Sequence, residues 1–169
     1  VTTFGELIGL DVFIFLKVHY FLHACDFASR LCVVAYLKDR KAETAIRAFL
    51  KAWVRYFGNP RRAVRLDRDG SFDNADWRKF ASKCSFRLDF VPGLDKTYAA
   101  VIERQNGLLR EAANLNHRDG MPPKESVYEA NGAKNEGMKC DGHHPITVAF
   151  GWTPRSWEEL ITPAHPPLK

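Results

Sequence analysis

Three carboxylates stand where a carboxylate needs a reason. Asp11 interrupts the apolar run "LIGLDVFIFL", and an unpaired charge inside a buried strand is costly. Asp67 closes the alternating stretch "RAVRLD", with Asp69 only two residues further on. Glu103 follows the apolar pair Val101 and Ile102 in "AAVIERQNGLLREA". Brought together, three carboxylates repel one another, and cations must offset that repulsion. Hard oxygen ligands suit Mg²⁺ or Mn²⁺, which keep some water and accept phosphate oxygens as further ligands. Two such ions about 3.5–4 Å apart would activate an attacking oxygen and stabilise a leaving one, which is phosphodiester cleavage or transfer.

The elements that must hold these groups are read from periodicity. Residues 6–16, 17–27 and 30–39 are rich in β-branched and aromatic side chains and are joined by short connections, so they predict a three-stranded antiparallel meander. In "KAETAIRAFLKAWVRYFG" the apolar positions recur every three or four residues, and Gly58 and Pro60 end the pattern; this is an amphipathic helix. A short strand ending at Asp67, a helix over 75–84, a strand over 86–92 and a long helix over 99–115 follow. The order βββαβαβα predicts a mixed sheet extended by parallel crossovers, with helices on its faces. In that order the first and fourth strands can be neighbours, so Asp11 and Asp67 can share a site, and the last helix can bring in Glu103. From about 117 to 144 the periodicity fades in a stretch rich in Gly, Asn, Lys and Pro, which predicts an irregular insertion or loop. Residues 145–169 then read as a short helix and a Pro-rich tail completing the core that residues 1–116 begin.

At 169 residues, 46% hydrophobic and 27% charged, the chain has the balance of one soluble domain with a real core. No apolar run is long enough to span a membrane, and no membrane partner is expected. The chain opens on Val1 with no leader pattern, so it is expected to be a piece of a longer polypeptide. A net charge of +5 is compatible with a nucleic-acid partner. The four cysteines form no CxxC pair and read as reduced intracellular thiols, Cys25 and Cys32 packed in strands.

Thirty-five residues stand between Asp67 and Glu103, a spacing that resembles the D,D-35-E pattern of integrases from retroviruses and LTR retrotransposons; counting from Asp69 breaks it. Other stretches agree in order. "GLDVF" resembles the first catalytic strand, and "CDFASRLCVVAYLKDRKAETAIRAFLKAW" the next two strands and first helix. "LDRDGSF" resembles the second motif, "IERQNGLLREA" the E-R-x-N-x-x-L helix, and "HHPITVAFGWTPRSW" the segment after the core. The likeness covers residues 5–116 and returns at 143–157. It implies an α/β, RNase H-like core with a five-stranded mixed sheet and helices on both faces, from a copia- or gypsy-like retrotransposon. By the same resemblance Asp11, Asp67 and Glu103 are the ligands of two Mg²⁺ or Mn²⁺ ions. Arg104, Asn106, Arg110 and Arg68 are then DNA contacts, and element ends and target DNA are the substrates. The resemblance further implies a homo-oligomer, made in the cytoplasm within a polyprotein and acting in the nucleus on chromosomal DNA. Ser71 stands where the family has a glutamate, and Ala99 and Ala100 where it often has Asn-Gly, which predicts a stiffer loop before the helix. These departures keep open a degenerate, non-catalytic DNA-binding or interaction module. A nuclease of the same fold acting on RNA hybrids is a further alternative, which the spacing disfavours.

Other ligand-like residues read more plainly. His19 and His23 share a strand face but lie too far apart to hold one ion, and they read as surface or sheet-face residues. Asp26 reads as a turn residue holding Ser29 or Arg30. Cys140, His143 and His144 lack the second pair that a zinc site needs. The arginines of 55–68 read either as a solvated rim or as a track for a DNA backbone.

Overall fold

A computed structural model describes residues 3–67, 71–90 and 96–152, with side chains from 100 onward in the last stretch. β1 (Leu7–Phe15) alternates between two layers, with Ile8, Leu10 and Val12 toward one and Gly9, Asp11, Phe13 and Phe15 toward the other. Both faces are covered, which is why its sequence is nearly all apolar. β2 (His19–Asp26) and β3 (Cys32–Leu37) complete an antiparallel meander, while β4 (Ala63–Leu66) runs parallel to β1 and β5 (Arg87–Phe90) parallel to β4. The order across the sheet is β3-β2-β1-β4-β5. This is the expected five-stranded mixed sheet, with β1 at its centre.

On the Leu10 face lies the amphipathic helix. It begins as α1 (Ala42–Phe49), passes through a π-helical stretch (Leu50–Val54) and ends as α2 (Arg55–Phe57). Ala45, Phe49 and Trp53, four residues apart, point inward, and Gly58 at φ +79° ends the helix where a side chain would be strained. α3 (Ala75–Cys84) starts at Asn74, whose Oδ1 accepts the Trp77 N–H at 3.2 Å. Phe49, Trp53, Phe72 and Trp77 pack with Leu10 and Leu66 into the larger core.

The Asp11 face is covered by α4 (Lys96–Arg118) and α5 (Pro123–Gly137). α4 begins three residues earlier than its periodicity suggests, so Ala99 and Ala100 belong to the helix and not to a loop before it. Leu109 and Ala113 of α4 pack with Phe13, Phe15 and Phe21, and Val127 and Ala130 of α5 complete this second core. Between 117 and 144, where the sequence reads as irregular, residues Pro123–Gly137 are helical. The signal is missing because the inward face of α5 carries Ser126, Asn131, Lys134 and Asn135 beside Val127 and Ala130. Those polar groups have a task. Asn135 Oδ1 accepts the Cys32 N–H at 3.0 Å, and the Cys32 carbonyl accepts Nδ2 of Asn131 (2.9 Å) and of Asn135 (2.7 Å). The helix thereby pairs an edge strand that would otherwise present free backbone groups. The "CDGHH" stretch is a tight turn. Asp141 and Gly142 both have positive φ, and Cys140 and His143 exchange backbone hydrogen bonds of 2.8 and 3.1 Å. α6 (Pro145–Phe150) follows.

Asp26 is a fully buried turn residue. Its Oδ1 accepts the Gly5 N–H (2.9 Å), and Oδ2 accepts from Ala28 N (3.1 Å), Ser29 N (2.7 Å) and Ser29 Oγ (2.8 Å). Asp26→Ala strands these donors in the interior and should cost about 3 kcal/mol in urea denaturation. A loss below about 0.5 kcal/mol would mean that the turn holds itself.

His23 departs from expectation, since it is fully buried. It belongs to a polar cluster under α4 and α5 with the free thiols of Cys25 and Cys32, Gln105 and Lys134. Bonding to Cys32, together with burial, pushes the Cys25 thiol up. Burial acts in the same direction on Cys32, but Cys25, Lys134 and His23 outweigh it and hold that thiol well below its ordinary value.

Candidate active site

The site begins with strand register. β1 and β4 pair in parallel as Leu7 with Ala63, Ile8 with Val64, Gly9 with Arg65 and Leu10 with Leu66. One step beyond the last rung stand Asp11, still within β1, and Asp67, the residue after β4; Asp11 faces α4. On its other side Asp11 pairs with His23 of β2.

α4 crosses above them at close range. A Cβ on Gly9 would lie 2.7 Å from Ile102 Cδ1 and 2.8 Å from Phe27 Cε2, so the helix can approach β1 here only over a glycine. From Ile102 the helix tracks the strand. Asn106 Nδ2 donates to Asp11 Oδ2 at 2.5 Å, and Arg110 places its guanidinium 5.2 Å from the centre of the Phe13 ring. The other Asp11 oxygen accepts the Val12 N–H at 2.7 Å. Glu103 is exposed, directly after buried Ile102 and one turn before Asn106. Asp67 is likewise exposed at the strand end.

Asp11 and Asp67 each follow the last β1–β4 rung by one residue, and Asn106 bonds Asp11. Among the described residues, however, no three His, Cys, Asp or Glu side chains are gathered as a group that could hold a metal ion. Arg110 borders the site, and Arg104 is exposed beside Glu103. Arg68 lies outside the described residues, as do Asp69 and Gly70. Of the other arginines, Arg65 is engaged with Asp89 at 2.9 Å. The donor set still suits a hard divalent cation. It consists of oxygens alone, and beside Asp11 the buried Asn106 Oδ1 has no hydrogen-bond partner, an oxygen placed to accept from a metal-bound water.

No protein-family model and no curated protein sequence matches the chain. Solved structures do. A chain of the simian T-cell lymphotropic virus intasome in complex with PP2A regulatory subunit B56 gamma superimposes with a TM-score of 0.76 at 15% identity, over 89% of this chain and 55% of that one. The HTLV-2 integrase catalytic core domain in complex with magnesium, in its dimeric form, gives 0.73 at 17% identity, over 87% and 97%. The catalytic core domain of BIV integrase gives 0.75 at 14% identity, over 87% and 95%. The fold is that of a retroviral integrase catalytic core.

Within this integrase-core fold two residues near the carboxylates escape a reading of the sequence. His23 pairs with Asp11 across the β1–β2 ladder and is fully buried; only that register reveals it. Gly9 is visible in "IGLDV" but gains meaning only from Ile102 and Phe27, residues distant in sequence. Asn106, read from the sequence as a DNA contact, spends its amide on Asp11, the kind of partner that orients a metal ligand. If Asp11 holds Mg²⁺, Asn106→Ala should raise the Mg²⁺ concentration for half-maximal DNA cleavage about tenfold, within the 10–100-fold range for such partners. An unchanged Mg²⁺ titration would leave Asn106 no part in holding Asp11.

Proposed function

We propose that the chain is the integrase catalytic core of an LTR retrotransposon, copia- or gypsy-like. It cleaves phosphodiesters with the help of two Mg²⁺ or Mn²⁺ ions and joins element ends to target DNA. The observation that carries the reading is the Asn106 bond to Asp11, made by the helix that carries Glu103 one turn earlier; the β1–β4 ladder, which ends one residue before Asp11 and Asp67, supports it. Asp11 and Asp67 would hold the ions, with Glu103 completing the ligand set, and the chemistry such ions would supply is activation of an attacking oxygen and stabilisation of a leaving one. Asn106 keeps Asp11 in place, while Arg104 and Arg110, with Arg68, meet DNA phosphate and fix the strand for in-line attack. The HTLV-2 core solved with magnesium supports the choice of metal, and its dimeric and trimeric forms support a homo-oligomer. Action in the nucleus on chromosomal DNA, after synthesis in the cytoplasm within a polyprotein, belongs to the same reading.

A second reading, a non-catalytic DNA-binding or interaction module, is favoured by the absence of a gathered three-ligand group among the described residues. It is also favoured by Ala99 and Ala100 lying in the helix. One assay separates the possibilities. The chain is offered labelled element-end DNA and an RNA–DNA hybrid, each with Mg²⁺ and with EDTA. Mg²⁺-dependent joining of DNA ends supports the integrase core. Cleavage of the hybrid alone supports an RNase H-type nuclease, and salt-sensitive binding without cleavage supports the module.

A further inference from the structure

Behind the carboxylates, on the side of α4 that carries Arg104, a pocket of about 190 Å³ opens between α4 and the turn that joins α5 to α6. Arg30, Arg104 and Lys139 line it against the single carboxylate of Asp141. None of the three cations is in an ion pair among the described residues. Each comes from a different part of the chain, and Arg30 is the one whose side chain is partly buried. Arg30 sits in the left-handed region at φ +63°, fixed by its N–H bond to the Asp26 carbonyl at 2.9 Å. Its guanidinium lies 5.8 Å from the centre of the Phe27 ring, and Nη1 is buried without a hydrogen-bond partner. Lys139 is placed by the closed turn from Cys140 to His143. Arg104 follows Glu103 directly, so it points about 100° around α4 from it. The floor is Gln105, whose Oε1 accepts from the buried ammonium of Lys134 at 2.8 Å, which sets a fourth cation beneath the pocket. Its lining cations outnumber its one carboxylate three to one. A buried guanidinium nitrogen without a partner is expensive, and a tetrahedral oxyanion offers the acceptors that this arrangement of donors needs.

We propose that this pocket binds one backbone phosphate of the DNA strand engaged at the carboxylate face. The inference rests on the reading of the chain as a DNA strand transferase and adds a subsite to it, with Arg30 and Lys139 as contacts beside Arg104. A phosphate held there lies next to the helical turn of Glu103, so it would anchor the strand adjacent to the reacting bond.

The test measures binding of labelled duplex DNA in EDTA over a range of salt, where cleavage plays no part. Arg30→Gln and Lys139→Gln are compared singly and together, with Lys51→Gln on the other layer as control. Because the cations share one phosphate, the double variant should lower the slope of log K against log salt by about 0.9, one phosphate's worth, and weaken binding roughly fivefold. Lys51→Gln should leave the slope within error of the wild type. A second arm adds inorganic phosphate without DNA and follows the melting temperature, which should rise for the wild type and not for the double variant. Lys139 is exposed, so its variant tests the site even if Arg30→Gln fails to fold. A slope loss of about 1.8, as for two independent surface cations, overturns the shared subsite. Stabilisation by phosphate with an unchanged DNA slope overturns the assignment to DNA and leaves a free-anion site. No change in either arm overturns the site altogether. If strand transfer persists in these last two cases, the proposed function survives the failure of this inference.

Discussion

Asp67→Asn, and equally Glu103→Gln, should abolish metal-dependent strand transfer while the fold survives. Each substitution removes a charged oxygen donor but keeps the shape of the side chain. Several kcal/mol of transition-state stabilisation come from metal ions in such sites, and each 1.4 kcal/mol or so is tenfold in rate. A loss on the order of 10³-fold is therefore expected. Both residues are exposed, so the change in stability should be small beside the loss of rate. Joining of labelled element ends, followed with a thermal melt of each variant, makes the comparison. Retained activity in either variant sinks the assignment, and loss of activity with loss of fold points to a structural role.

The second large effect falls on a residue with no functional group. Gly9→Ala places a methyl 2.7 Å from Ile102 Cδ1 and 2.8 Å from Phe27 Cε2. Both atoms are side-chain tips, so Ile102 and Phe27 must shift to make room. Overpacking of this kind costs about 1–3 kcal/mol, which a urea midpoint measures. The larger consequence is catalytic, since Ile102 immediately precedes Glu103 and stands one turn before Asn106. A displacement of about 1 Å at such a point can cost roughly 10²-fold in rate. Ile102→Val, which removes the clashing methyl, should restore part of both losses in the double variant. If Gly9→Ala is neutral in both measurements, α4 does not approach β1 as closely as the structure has it.

Most of the fold is legible in the residues, and the exceptions share a cause. The three-strand meander, the helix of Phe49 and Trp53 and the long helix of Glu103 announce themselves because their buried sides are apolar at a regular period. α5 does not, because Asn131, Lys134 and Asn135 face inward to meet the backbone of Cys32 and the side chain of Gln105. A helix that buries amides to cover a strand edge looks, by composition, like a loop. His23 misleads for a similar reason, since a histidine in an alternating strand reads as partly wet until a second layer is known to lie over it. The carboxylates are the reverse case. Their order and spacing are read from the sequence, and the β1–β4 ladder ends at Leu10 with Leu66, one residue before each aspartate. What spacing cannot carry is side-chain convergence, because three like charges draw together only around a cation. The bond from the Asn106 amide to Asp11 is likewise invisible to spacing.

A crystal structure of the chain soaked with Mn²⁺ bears most directly on the central claim. The anomalous signal should place ions between Asp11, Asp67 and Glu103, with carboxylate oxygens at about 2.0–2.6 Å. Carboxylates more than about 8 Å from any common point, beyond the reach of ions coordinated at those distances, would contradict the catalytic reading and leave only the fold.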